Sequence, residues 1–323
     1  MIIVTGGAGF IGSAIVSELN RRGHREIMIV DCVDHPEKQS NLEGLDYVEL
    51  CAIPEFLIRV RERKLATSSA IIHMGACSST TETNEKFLRE NNYEYTRHLA
   101  EYSLEKSIRF IYASSAATYG DGAQGYSDDE QTLDHYAPLN LYGHSKHQFD
   151  LWARGEGVLN QIVGLKYFNV YGPNEYHKGN MQSMVRKGFY QARDEGVFKL
   201  FKSYKPEYPD GGQERDFVYI KDAVEMTLFF LENRDAGGLY NVGSGKARNW
   251  NDLAHSVFSA LGQDAQIQYV DMPDSIRDQY QYHTQAEMAK IQSAGYQGGA
   301  TSLEEGVRDY ITNYLIPERR LGR

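Results

Sequence analysis

The sequence predicts an α/β protein: a Rossmann-type doubly wound parallel sheet with a smaller mixed α/β substrate-binding lobe. Three observations carry that expectation. A glycine motif, Thr5-Gly-Gly-Ala-Gly-Phe-Ile-Gly12, stands between an apolar strand and an amphipathic helix. Short apolar runs alternate with helical patterns through the first half of the chain, as crossover helices on a parallel sheet require. Near residue 169 that regular texture gives way to turns and polar loops.

The elements follow in order. Residues 1–5 form an apolar strand and 10–22 a helix, and 26–31 form a second strand that ends in an acid. A helix over 54–63 leads to a strand over 70–74, and 82–106 carries a long helical pattern. A strand over 108–113, a helix over 140–154 and a strand over 161–168 complete the repeating part. Beyond the Gly172-Pro173 turn, helices are expected over 181–195, 221–233, 251–261 and 302–314, with a strand over 238–242 and a polar loop over 203–213. No linker-like stretch separates the halves, so the two parts should pack closely. The predicted division is 1–168 with 217–243 for the dinucleotide-binding domain and 169–216 with 244–323 for the substrate-binding lobe.

Composition narrows the function classes. At 323 residues, 41% of them hydrophobic, the chain can bury a substantial core. A net charge of -10 sets nucleic acid aside, because phosphate backbones need a basic surface. No apolar run approaches the ~18–20 residues of a membrane span. Cys32, Cys51 and Cys77 lack CxxC or metal-like spacing and read as reduced thiols. The first residues already read as a strand rather than a leader, so a cytoplasmic location is expected. The ten histidines lack metal spacing, and no metal is expected.

Gly6, Gly9 and Gly12 suit a dinucleotide cradle: a tight turn, close approach of backbone to pyrophosphate, and close helix–sheet packing. The helix N-terminus behind them adds NH donors and partial positive charge. Asp31, at the end of the second strand, is placed to bond an adenosine ribose hydroxyl, which favours NAD. Lys38 is placed to neutralise a 2′-phosphate, which favours NADP.

Tyr142 and Lys146 lie four apart on a predicted helix and project from one face. Ser115, with Ser114 and Thr118 as neighbours, comes from an earlier strand end. The trio suits reversible oxidation of an alcohol by a nicotinamide. A free phenol ionises near a pKa of about 10, so acting as a base at neutrality needs about 4 kcal/mol of differential stabilisation. Lys146 and a cationic nicotinamide are expected to supply it as nearby opposite charges.

The glycine motif and Tyr-x-x-x-Lys together resemble the extended short-chain dehydrogenase/reductase superfamily. Longer strings are similar to the ADP-L-glycero-D-manno-heptose 6-epimerases: Gly75-Ala-Cys-Ser-Ser-Thr-Thr-Glu82, Ala113-Ser-Ser-Ala-Ala-Thr-Tyr-Gly120, Lys166-Tyr-Phe-Asn-Val-Tyr-Gly-Pro173 and His177-Lys-Gly179. Arg215-Asp-Phe-Val-Tyr219 and Tyr280-Gln-Tyr-His-Thr-Gln285 extend the likeness over nearly the whole chain.

That resemblance implies inversion of C6 in ADP-D-glycero-β-D-manno-heptose through a transient 6-keto sugar, with bound NADP. It also implies a homo-oligomer, a pentamer, and a product that feeds lipopolysaccharide core synthesis. It assigns Gly6, Gly9, Phe10, Ile11, Gly12, Asp31, Cys32, Lys38, Gly75, Ala76, Cys77, Ser78, Asn91 and Lys146 to the cofactor. It assigns Ser115, Asn169, Lys178, Asn180, Lys187, Phe201, Arg215 and Tyr280 to the substrate, and makes Tyr142 and Lys178 the acid/base pair. Cys32, Ile53, Met74, Asn180 and Lys187 depart from the residue types this pattern usually carries.

Read from residue chemistry alone, Lys178 is equally a simple ligand of the diphosphate, His177 a weaker proton handler or a packing residue, and Arg215 a diphosphate clamp or an ion-pair partner. Two other functions compete. One is a C4-epimerase of another nucleotide sugar; the other is a non-catalytic nucleotide-sensing Rossmann protein. A dehydratase is disfavoured because Tyr119-Gly120, not an acid pair, follows Thr118.

Overall fold

The computed structural model describes residues 1–277 and 280–322. The first half alternates strand and helix: β1 (Ile2–Thr5), α1 (Phe10–Arg21), β2 (Ile27–Val30), α2 (Pro36–Leu42), β3 (Glu49–Cys51), α3 (Ile53–Arg61) and β4 (Ala70–His73). There follow α4 (Glu85–Leu88), α5 (Tyr95–Glu105), β5 (Arg109–Ser115), α6 (Leu141–Gly155) and β6 (Val163–Tyr167). The second half adds β7 (Asn169–Tyr171), α7 (Met184–Glu195), β8 (Phe198–Phe201), β9 (Glu214–Tyr219), α8 (Ile220–Glu232), β10 (Gly238–Val242) and β11 (Ala247–Asn249). It ends with α9 (Trp250–Leu261), β12 (Ile267–Val270), α10 (Asp274–Arg277), α11 (Ala289–Ser293) and α12 (Leu303–Tyr310).

Seven strands form one parallel sheet in the order β10-β6-β5-β4-β1-β2-β3. The order reverses at β1, between β2 and β4, and ligands of such sheets bind in the crevice outside the strand ends at that point. Ile3, Val4, Ile29, Ile71, Ile72 and Ile111 are fully buried, as strands covered on both faces require. A three-stranded sheet, β11-β9-β7, and a two-stranded one, β12-β8, lie apart from it.

The elements expected from the sequence are present, with ends displaced by a few residues. Three differences have physical content. The 82–106 pattern becomes α4 and α5 joined through a π-helical turn at Arg89–Glu94. The strand expected over 161–168 ends at Tyr167. Beyond it Phe168 bonds Val242 O, and Asn169–Tyr171 pairs with β9 in the smaller sheet. The chain therefore leaves the main sheet where its texture changes. The helix expected over 181–195 begins only at Met184, because Ser183 caps it and 176–181 forms a separate 3₁₀ turn. The short strands of the second half, and α2 and β3, went unpredicted. They are three to seven residues long, too short for periodicity to register.

Candidate active site

The glycine cradle closes as its spacing predicts. Gly6 turns with φ 66°, a conformation that suits glycine. At Gly12 an added Cβ would lie 2.1 Å from Gly6 O, so the α1 start can sit against the turn only without a side chain. Phe10, Ile11 and Gly12 then open α1 beside a cavity of about 830 Å³. Asp31 sits at the end of β2, but its carboxylate already serves the protein. Oδ2 accepts from Ala8 N at 2.9 Å, and Oδ1 accepts from Cys32 N at 2.7 Å and from Lys38 Nζ at 2.9 Å. Asp31 thus braces the cradle, and Lys38 shields its charge rather than standing free.

On the opposite wall, Asn140 caps α6 by accepting from Gly143 N at 2.8 Å, which puts Tyr142 in the first turn. Ser115, at the end of β5, lines the same cavity as Tyr142, and its side chain favours the ionised form of the phenol. Ser114 and Thr118 face elsewhere. Ser114 donates to Asp150 Oδ2 at 2.7 Å, and Thr118 donates to Ser115 O at 2.7 Å. Ser115 is therefore the serine of the trio. Beneath it lies a closed polar network. Lys166 Nζ donates to Asp150 Oδ2 at 2.9 Å and to Thr118 Oγ1 at 2.7 Å, and Tyr112 donates to Asp150 Oδ1 at 2.8 Å. The side chains of Lys166 and Asp150 are both 0% exposed.

Burial pushes the Tyr142 phenol above its ordinary range, and the Ser115 side chain pulls it downward. Burial also brings Lys146 down to about 8, although Asp150 and Cys77 favour its charged form. The trio is assembled, but the phenol rests protonated.

The 75–78 stretch is held by a residue that sequence reasoning missed. Asn92 Oδ1 accepts from Cys77 N at 2.8 Å, and its Nδ2 donates to Cys77 O at 2.9 Å and to Ser145 Oγ at 3.0 Å. The π turn rotates Asn92 inward and leaves Asn91 at the cavity edge. Nothing in the sequence marks that extra residue per turn.

Lys178 comes from the 3₁₀ turn Tyr176–Met181 and lines the same cavity as Tyr142, Lys146 and the cradle. Its ammonium lies 5.4 Å from the Phe10 ring centroid. Burial lowers its pKa, and Glu175 opposes that shift. His177 also lines the cavity and is brought down to about 4, chiefly by burial, so it is neutral at pH 7.

The arrangement of dinucleotide cradle, Ser–Tyr–Lys trio and facing lysine turn has relatives. Residues 2–243 match the NAD dependent epimerase/dehydratase family. The chain is 51% identical over 316 residues to the ADP-L-glycero-D-manno-heptose-6-epimerase of Nitratidesulfovibrio vulgaris, covering 98% of each. It also matches the crystal structure of the Helicobacter pylori ADP-L-glycero-D-manno-heptose-6-epimerase with a TM-score of 0.81 at 30% identity, covering 97% of this chain and 95% of that one. The chain belongs to the ADP-L-glycero-D-manno-heptose-6-epimerase family. A more distant structure, MoeE5 in complex with UDP-glucuronic acid and NAD, matches with a TM-score of 0.76 at 26% identity over 98% of this chain and 99% of that one. The cofactor class is therefore a nicotinamide dinucleotide.

Not every residue assigned to substrate by the epimerase resemblance reaches the cavity. Asn169 and Ser115 line it, whereas Asn180, Lys187, Phe201, Arg215 and Tyr280 do not. Asn180 is exposed, and Lys187 Nζ donates to Asn180 O at 2.6 Å, so the two brace the lysine turn. Arg215, Tyr280 and Phe201 pack together with Trp250. The Arg215 guanidinium lies 5.0 Å from the Tyr280 ring and 5.7 Å from the Trp250 ring. Trp250 donates from Nε1 to Tyr280 OH at 2.9 Å, and Tyr280 meets Phe201 edge to face. Instead, Phe217, Trp250 and Leu253 form the wall. Trp250 was missed because it reads as the first apolar residue of a helix. Its Asn249 cap, with Asp252 completing a capping box, aims it into the cleft.

Proposed function

We propose that the chain inverts C6 of ADP-D-glycero-β-D-manno-heptose to give the L-glycero epimer, with NADP as its bound cofactor. The observation that carries this reading is that Tyr142, Ser115 and Lys178 line one cavity with the glycine cradle. Gly6, Gly9, Phe10, Ile11 and Gly12 would hold the dinucleotide diphosphate, with Asp31, Cys32 and Lys38 at its adenosine end. Gly75, Ala76, Cys77, Ser78, Asn91 and Lys146 would complete the cofactor wall. Lys38 beside Asp31 offsets that carboxylate and supports the choice of NADP. In this reading residues 1–168 with 217–243 hold the cofactor, and 169–216 with 244–323 present Lys178 and the nucleotide-sugar wall.

A bound nicotinamide supplies hydride acceptance from C6 and its return to the opposite face, a redox-neutral exchange. The chain itself manages the proton on the C6 oxygen. Ser115 hydrogen-bonds that oxygen, and Tyr142 takes and returns its proton, with Lys146 adding positive charge. C6 is exocyclic, so rotation about C5–C6 presents its other face without turning the sugar ring. The oxygen then needs a second proton handler, and Lys178 has that role; its burial favours the neutral amine. Arg215 would reach the diphosphate if Trp250 and Tyr280 part around it.

Turnover of ADP-D-glycero-β-D-manno-heptose in heavy water tests this. The expected product is the C6 epimer with essentially no solvent deuterium at C6, and the cofactor released on denaturation has the mass of NADP. Deuterium at C6 would replace hydride transfer with deprotonation chemistry. Inversion of UDP-galactose in preference to the heptose would move the assignment to a C4-epimerase.

A further inference from the structure

The lysine turn contains an acid that the reaction as described does not use. Glu175 is 1% exposed, yet both carboxylate oxygens are engaged by one residue. Oε1 accepts from Ser183 Oγ at 2.7 Å, and Oε2 accepts from Ser183 N. Ser183 Oγ meanwhile accepts from Arg186 N at 3.3 Å as the cap of α7. The Ser183 amide can only donate, so Oε2 is an acceptor, and burial pushes the Glu175 pKa upward against the pull of the Ser183 bonds and of Lys178. At the other end of the turn Lys178 N donates to Glu175 O at 3.0 Å. Glu175 thus closes residues 175–183 into a loop and couples the lysine turn to α7.

Glu175 is also the acid that favours the charged form of Lys178. The other titratable groups around it are Tyr176 on its own turn, Lys187 on α7 and Tyr310 on α12. Arg186 is turned away onto the Tyr176 and Tyr190 rings.

We propose that Glu175 is the positioning residue for Lys178: its carboxylate clasps Ser183 to fix the turn that carries the lysine, and its charge balances the ammonium. The proposal rests on the reading of Lys178 as a proton handler. Glu175→Gln removes the charge at nearly constant size, and Ser183→Ala loosens the clasp while keeping the charge.

The pH dependence of kcat, measured with thermal melting of each holoenzyme, tests the proposal. In Glu175→Gln the pH limb that reports Lys178 moves to lower pH by about one unit, because the ammonium loses its counter-charge. In Ser183→Ala kcat falls several-fold and the limb stays in place. An unmoved limb in Glu175→Gln overturns the proposal, as does a limb that moves equally in both variants. Lys178→Met separates the two ideas. If it turns over normally, the role of Lys178 itself fails. If it is inactive while Glu175→Gln keeps the parental limb, only the role of Glu175 fails.

Discussion

Tyr142 and Lys146 stand on a fifteen-residue helix, α6, whose inner face is fastened to the central sheet through the Asp150–Lys166 pair. Lys178 stands on the six-residue 3₁₀ segment Tyr176–Met181, kinked at Gly179 with φ 52°, and is fastened through Glu175 to Ser183. Each support contains a buried acid, but the acids do different work. Asp150 accepts from Lys166, Tyr112 and Ser114, three side chains of β5 and β6, so it locks α6 to the sheet against which the cofactor would lie. Glu175 accepts from a neighbour eight residues away and ties its loop only to the start of α7. One proposed proton handler is set by the core of the fold, the other by a local clasp. The proposed presentation of one oxygen in two orientations has use for both kinds of support.

The largest expected effect concerns the two handlers themselves. Tyr142→Phe and Lys178→Met should each lower kcat about 10²–10⁴-fold with cofactor content unchanged. If only one of them matters, the two-sided arrangement breaks down and the comparison with it.

Next is stability. Asp150→Ala would leave Lys166 charged, buried and unpaired, at a cost of about 3–5 kcal/mol in denaturant unfolding. Ser183→Ala removes a helix cap and a clasp partner and should cost about 1 kcal/mol. Equal losses would show that the lysine turn belongs to the core as firmly as α6 does.

The smallest effect sharpens the α6 side. Lys146 ionises at about 8 in the folded chain against an ordinary 10.5. Between those values the unfolded chain holds more protons, so stability rises with pH across the window and the burden of the charge is greatest below it. Cofactor-free Lys146→Met should therefore melt above the parent at pH 7, with the advantage shrinking as pH rises from 8 to 10.5. A constant difference would mean that Lys146 titrates normally.

Much of the α6 side was legible in the sequence. Glycine spacing, the Tyr-x-x-x-Lys interval and the strand–helix alternation are local patterns, and local geometry converts them directly into position. The lysine turn was legible only as His177-Lys178-Gly179. Periodicity cannot show that Glu175 would face Ser183, or that the helix would wait until Met184. Asn92 was missed because a π turn shifts the register by one residue, and Trp250 because it resembles any apolar helix start.

The sequence by itself determined the doubly wound sheet, the glycine cradle after its first strand and the helix that carries Tyr142 and Lys146 four residues apart. Each rests on spacing within a few residues of chain. Tertiary structure alone decided which serine faces Tyr142, that Asp31 braces the cradle with Lys38 on its carboxylate, and that Arg215 packs with Trp250. Those outcomes depend on partners brought together from different elements of the fold, which no local pattern encodes.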